Sequence, residues 1–279
     1  MWRGSKSFWA GFCGIKYIVP KIDDNTHKYL DGKDVGRYWH KWNGAYLQYG
    51  DHLAYPASIG IFSSPVIIVR EIPGKHPRCL VCAYSDGHEV LLFNRSNIAI
   101  INKDADYDLK YLLGVLNSSL MSYYFMRSTP KAVRKLFPKV ILLDLKKFPI
   151  KIADKDAQRP IILAVDNMLD LVGRFIQHSD SFLNLAKTDL GIAKPSQAMN
   201  AWHTLDKDTF MAALEKDADP QKLSLTKKSE WLEHFESQKA KADTIKAQIM
   251  KLDAKINRMV YDLYGLDQND IAIVESGGQ

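Results

Sequence analysis

The residues best equipped for chemistry in this chain are cations, and they are concentrated. Between Arg127 and Arg159 stand ten of them: Arg127, Lys131, Arg134, Lys135, Lys139, Lys146, Lys147, Lys151, Lys155 and Arg159. Only Asp144, Asp154 and Asp156 oppose them, a local excess of seven in a chain whose total is +6. The remaining residues are therefore close to neutral. A basic segment in a neutral chain suits a polyphosphate partner, because each Lys or Arg placed on a duplex releases condensed counterions. A solvated face that keeps the chain in solution is the plainer alternative, and charge alone does not separate the two.

A second group mixes cations with aromatics: Lys33, Arg37, Tyr38, Trp39, His40, Lys41 and Trp42. Arg and Lys forks can read guanine edges or hold phosphates, and flanking rings can stack on bases and sugars. The competing reading, favoured for the rings, is that Tyr38, Trp39 and Trp42 are packing mass with the cations at their rim.

His76, Cys79, Cys82 and His88 lie close enough in sequence to suggest a zinc ligand set. Strand alternation would send Cys79 and Cys82 to opposite faces. Buried, unliganded thiols are the preferred reading. Three cysteines, Cys13, Cys79 and Cys82, form no disulfide framework and fit a reducing cytoplasm.

Other chemistry is missing. No Asp/Asn-Pro-Pro-aromatic turn is present to grip a target base amine, and no Gly-x-x-x-x-Gly-Lys loop to cradle phosphates. No Glu-x-Lys cluster is present for a metal-dependent nuclease. Asp144-Leu145-Lys146 and Asp253-Ala254-Lys255 have that spacing without an upstream acid and read as surface charge. The chain is expected to hold no catalytic centre, metal or cofactor of its own.

The elements that would position these residues follow from periodicity. Val66–Arg70, Arg78–Tyr84, Val90–Phe93 and Ile98–Ile101 are short apolar runs bounded by turn residues, which predicts strands. Leu109, Leu112, Leu113, Leu116 and Leu120 predict an amphipathic helix from Asp108 to about Phe125, capped by Asp106 or Asp108. Two later stripes repeat in steps of four and three: Ile161 to Ala186, and Trp231 to Leu263. Such spacing predicts two long helices closing as an antiparallel pair, with a polar stretch at about 188–229 between them. The fold class is therefore α+β: a β-rich lobe with short helices (1–155), then a helical hairpin or bundle (156–279). The apolar run Phe8–Val19 is too short and too interrupted for a membrane span or signal peptide, so a cytoplasmic, membrane-free location is expected.

The order of segments resembles a known family. Gly32-Lys33-Asp34-Val35-Gly36-Arg37-Tyr38, Ser64-Pro65-Val66-Ile67-Ile68-Val69-Arg70 and Leu80 to Asp86 are similar to the opening strands and turns of TaqI-like C-terminal specificity domains. Tyr107 to Ser118 resembles the family's "YDLKYLLGLLNS" helix, its most specific piece. Lys135-Leu136-Phe137-Pro138 and Leu145 to Ile150 also fit, as does Val260 to Leu266 with Ile271 to Glu275. The resemblance implies the target-recognition part of a larger bacterial restriction-modification or adenine-specific DNA methyltransferase polypeptide, here expected to start within the domain. It implies double-stranded DNA and the parent's methyltransferase domain as partners. S-adenosylmethionine, with magnesium as a further option, would belong to the parent. The DNA-binding residues it suggests are Lys33, Arg37, Lys41, Arg70, Arg127, Ser128, Lys131, Arg134 and Lys135, with an Arg at a base edge and Lys at phosphates. Two alternatives stay open: a helical protein–protein assembly module, and an independent nuclease with an unrecognised site.

Overall fold

The computed structural model describes residues 18–21, 23–53, 58–94, 96–102, 106–129 and 138–277. The chain is an α+β protein. It divides into two compact units, one of Met1–Leu169 with Ala254–Gln279, the other of Asp170–Asp253.

The first unit carries the strands. β1 (Ile18–Val19), β2 (Thr26–Leu30), β5 (Tyr46–Gln48) and β8 (Leu91–Phe93) form a sheet in the order β1-β5-β2-β8. Its last pair, β2 with β8, is parallel, with Tyr29 opposite Leu92. A second sheet is antiparallel throughout, in the order β7-β6-β9: β6 (Val66–Arg70) lies between β7 (Cys82–Ser85) and β9 (Asn97–Ile100). β3 (Val35–Gly36) and β4 (Trp39–His40) make a short hairpin.

Val66 and Ile68 of β6 join a core with Tyr29, Leu30, Leu47, Leu92 and Phe93 from the first sheet. Ile67 and Val69 point the other way and are equally buried. A strand covered on both faces needs apolar residues at every position, which explains the unbroken Val-Ile-Ile-Val run.

The helix expected from Asp108 to Phe125 is two helices, α1 (Leu109–Leu116) and α2 (Ser119–Ser128). Asp108 caps the first, its Oδ1 accepting from the Lys110 amide at 2.6 Å. The break falls at Asn117 and Ser118, whose side chains have other engagements. Ser118 Oγ accepts from the Met121 amide and so caps α2. Gly114 lets α1 pack closely: a Cβ there would stand 2.8 Å from Ile161 and 3.0 Å from Val165.

α3 (Leu142–Leu145) follows, and α4 (Lys155–Leu190) and α7 (Leu225–Tyr264) are the two long helices. α8 (Gln268–Ser276) ends the described chain, with Ile271 and Val274 in a cluster with Tyr261, Leu120 and Tyr123.

The second unit is helical. Phe182 of α4 stacks on Trp202, and Phe210 stacks on Phe235 of α7, their ring centroids 4.0 and 3.9 Å apart. His178 meets Gln238 and Asp189 meets Lys227, so the two helices run antiparallel here, as their stripes predict. The intervening polar stretch is folded as well. α5 (Gln197–Asn200), a 3-10 turn at Trp202–Thr204 and α6 (Lys207–Asp217) supply Met199, Trp202, Phe210 and Leu214 to the core.

Candidate nucleic-acid interface

Lys33 and Lys41 lie on one braced turn. Asp31 caps the 3-10 turn Gly32–Asp34, and Asp34 answers by accepting from the Asp31 amide at 2.8 Å. The buried Asp34 carboxylate also accepts from Asn43 Nδ2, at 3.1 and 3.0 Å. Its carbonyl accepts from the Lys41 amide at 2.8 Å. Both lysine side chains are exposed.

The hairpin between them explains its own sequence. A Cβ on Gly36 would stand 2.1 Å from Trp39 Cε2, so only glycine fits beneath the indole. Tyr38 turns the chain at φ 66° and is buried, its amide donating to the Cys82 carbonyl at 2.8 Å. Arg37 Nη2 donates to the Asn117 carbonyl at 2.8 Å, so this guanidinium reaches inward to the end of α1. The Tyr38 ring is core and Trp39 is half-buried, in keeping with the packing reading. Trp42 is half-buried too, its indole N–H donating to the Ala45 carbonyl and Lys28 lying 5.1 Å from its ring.

Arg70 closes β6, half-buried, with Nε donating to the Ile72 carbonyl at 2.8 Å. It sits opposite Asn97 on β9. Its neighbour Glu71 donates its amide to the Ser96 carbonyl at 2.8 Å, and a Cβ on Gly32 would stand 3.4 Å from Ser96. The turn bearing Lys33 and the strand end bearing Arg70 therefore converge on Ser96.

Arg127 lies in the last turn of α2, exposed, with Nη2 donating to the Gly277 carbonyl at 3.2 Å and the guanidinium 5.7 Å from the Tyr123 ring. Ser128 Oγ donates back to the Tyr124 carbonyl at 2.6 Å. Lys131, Arg134 and Lys135 lie outside the described residues. The chain is described again from Pro138. Lys139 then pairs with Glu71 at 3.1 Å, and the Val140 amide donates to the Glu71 carbonyl at 2.7 Å. Farther on, Lys146, Lys147, Lys155 and Arg159 are exposed, while Lys151 Nζ donates to the Leu263 carbonyl at 2.5 Å.

Sequence reasoning missed two positioning groups. Asn117 spans the Cys82 backbone with its amide, and Glu71 anchors the basic stretch at Lys139. An Asn-Ser pair interrupting a leucine periodicity was the available signal for the first. Nothing local marks the second.

Other parts of the unit have different electrostatics. A cleft of about 570 Å3 is lined by His40, Tyr84, Asp86, His88, Glu89 and Lys110. Burial lowers the His40 pKa, and Asp86 and Glu89 only partly offset it. Lys110 is paired with Asp166 at 2.6 Å, so this cleft offers acids and a neutral ring rather than cations. It is a poor place for phosphate.

Cys79 precedes β7 rather than lying in it, so strand alternation does not separate it from Cys82. Both thiols are buried, and burial pushes them up to about 11 and about 12. His76 is hydrogen-bonded to the Glu275 carbonyl, and His88 is exposed beside Asp86. No group of three or more His, Cys, Asp or Glu able to hold a metal occurs among the described residues. No helix among them is long and apolar enough to cross a membrane.

The lobe that carries this geometry has known relatives. Residues 27–150 match the TaqI-like C-terminal specificity domain. The matched span takes in the Lys33 turn, Arg70, α1, α2 and the basic stretch as far as Ile150. Residues 154–260 match a domain of unknown function (DUF8810). Over 138 residues the chain is 25% identical to a protein of Methanocaldococcus jannaschii named "Putative type II restriction enzyme and methyltransferase". That match covers 49% of this chain and 11% of the relative's length.

Proposed function

We propose that this chain is the sequence-specific DNA recognition module of a larger restriction-modification or adenine-specific DNA methyltransferase polypeptide. The observation that carries the reading is the specificity-domain match at residues 27–150, which includes the densest cations of the chain. The restriction and methylation named for the Methanocaldococcus relative support the wider context.

In this reading the lobe up to about residue 155 meets double-stranded DNA, and the helices up to 279 are a spacer for the parent's methyltransferase domain. Lys33, Lys41, Lys131 and Lys135 hold phosphates, which fix register without reading sequence. Arg134 or Arg127 takes a base edge, since a guanidinium fork matches guanine O6 and N7. Arg37 and Arg70, which reach toward backbone carbonyls, shape the surface from behind. Methyl transfer, S-adenosylmethionine and any magnesium belong to the parent, whose methyltransferase domain extrudes the target adenine.

Titration of duplex DNA at two salt concentrations tests the proposal. Affinity should fall steeply with salt, and Arg134→Ala with Lys135→Ala should flatten that dependence. Salt-independent or absent DNA binding, with tight helix-mediated dimerisation, would assign the chain to protein assembly instead.

A further inference from the structure

The loop between β6 and β7, residues 71–81, touches α2, the basic stretch at Lys139 and Val140, and the end of α8. At one end Glu71 holds Lys139 and the Val140 amide. Farther along, His76 Nε2 is hydrogen-bonded to the Glu275 carbonyl at 3.1 Å. The same imidazole lies against Gly277, where a Cβ would stand 3.2 Å from His76 Cδ2. The Gly277 carbonyl in turn accepts from Arg127. Lys139 directly, and Arg127 through Gly277, are thereby linked to one loop.

This loop has a firm shape. The Gly74 amide donates to the Cys79 carbonyl at 2.7 Å, and the Arg78 amide donates to the Lys75 carbonyl at 2.8 Å. A Cβ on Gly74 would stand 2.5 Å from the Arg78 carbonyl, so the turn closes tightly only with glycine there. Cys79 and Leu80 are buried, and Ser122 Oγ receives both their amides, at 3.0 and 3.3 Å. Lys75 and Arg78 project from this turn and are exposed, and Ile72 is 61% exposed. The loop's one carboxylate, Glu71, is already paired with Lys139.

We infer that the β6–β7 loop is a second DNA-contacting element, with Lys75 and Arg78 on backbone phosphates beside those met by the basic stretch. The inference rests on the DNA-recognition reading and adds residues to it. Charge complementarity selects the partner: a hydrogen-bonded turn presenting two exposed cations, on a loop that also holds Lys139, fits a polyanion better than an apolar protein surface. Each phosphate contact contributes about 0.9 to the slope of log affinity against log salt. Two contacts therefore correspond to a slope difference of about 1.8.

The test uses the 279-residue chain and a mixed-sequence duplex, with anisotropy titrations from 50 to 200 mM salt, conditions chosen to expose counterion release. Lys75→Gln with Arg78→Gln should reduce the slope by about 1.8 and weaken binding most at low salt. Lys187→Gln with Lys194→Gln, exposed lysines of the other unit, should leave the slope unchanged. Arg78→Lys keeps the charge and should keep the slope, which separates loss of a cation from loss of the turn. If the chain binds DNA and the double Gln variant, with an unchanged melting temperature, retains the full slope, the loop makes no phosphate contact and the inference fails alone. An unchanged slope together with self-association abolished by Ile72→Asp would assign the loop to protein contact and also overturn it. If the unaltered chain binds no duplex at any salt, the underlying reading fails with it.

Discussion

Asn117 holds the backbone of Cys82 through both ends of its amide: Oδ1 accepts from the Cys82 N–H and Nδ2 donates to the Cys82 carbonyl, each at 3.0 Å. The residue that ends α1 thus behaves as one more strand residue at the edge of β7. Its own carbonyl receives Arg37, and the Cys82 carbonyl also receives the Tyr38 amide. One residue joins helix, sheet and hairpin.

Asn117→Ala should therefore cost more than an ordinary buried hydrogen bond. It strands a buried N–H, and stranded polar groups cost about 1–3 kcal/mol each. A loss of about 1–3 kcal/mol is expected, measured as a lower urea midpoint. Asn117→Asp keeps the acceptor and should fall between the two. A variant as stable as the parent would show that the bracket contributes nothing.

Gly36→Ala should destabilise by about 1–3 kcal/mol, the usual range for overpacking. The new methyl would collide with the Trp39 indole, 2.1 Å away. Adding Trp39→Ala removes the obstacle, so the double variant should recover part of what Gly36→Ala loses relative to Trp39→Ala alone. Simple additivity in this cycle would place the strain elsewhere.

Lys33 and Arg37 stand four residues apart and should separate in experiment. Lys33→Ala should lower DNA affinity and its salt slope by about 0.9, with the melting temperature unchanged. Arg37→Ala removes a donor from the Asn117 carbonyl, and hydrogen bonds to charged groups contribute about 1.5–3 kcal/mol. It should register first as lost stability. The opposite assignment, a stable Arg37→Ala chain that has lost DNA, would make Arg37 a direct contact.

The second unit should weaken as the pH falls. Burial, and next the Lys246 charge, hold the His203 imidazole down to about 4, below its ordinary 6.5. Its Nδ1 is buried without a hydrogen-bond partner among the described residues, and its ring meets Phe175 and Trp202. The folded state therefore favours the neutral ring. Its stabilisation is complete above about pH 6.5 and drains away as pH falls toward 4, because the unfolded chain takes up the proton first. Thermal melts between pH 7.5 and 5 should show a falling midpoint, and His203→Phe should flatten part of that fall. His234, also lowered by burial, shifts in the same direction and supplies some of the remainder.

Some of this was legible in the residues and some was not, for physical reasons. β6 was readable because burial on both faces demands an unbroken apolar run. The Asp108 cap was readable because capping is local. The division of α1 from α2 was hidden: leucine spacing continues from Leu116 to Leu120, and the break is set by Cys82, far away in sequence. α6 was hidden differently, since Lys207–Asp217 is polar over most of its surface and buries Phe210, Ala213 and Leu214. Residue type marked Arg37 only as a cation in an aromatic-basic cluster. Only the fold reveals that it reaches inward to Asn117.

Arg127, held by the Gly277 carbonyl, and Lys139, held by Glu71, give the interval between them two anchored ends. Lengthening a connection between two fixed points costs little in closure entropy, about 0.6 kcal/mol for each doubling. Changes of length between those two cations should therefore leave both tethers, to Gly277 and to Glu71, in place.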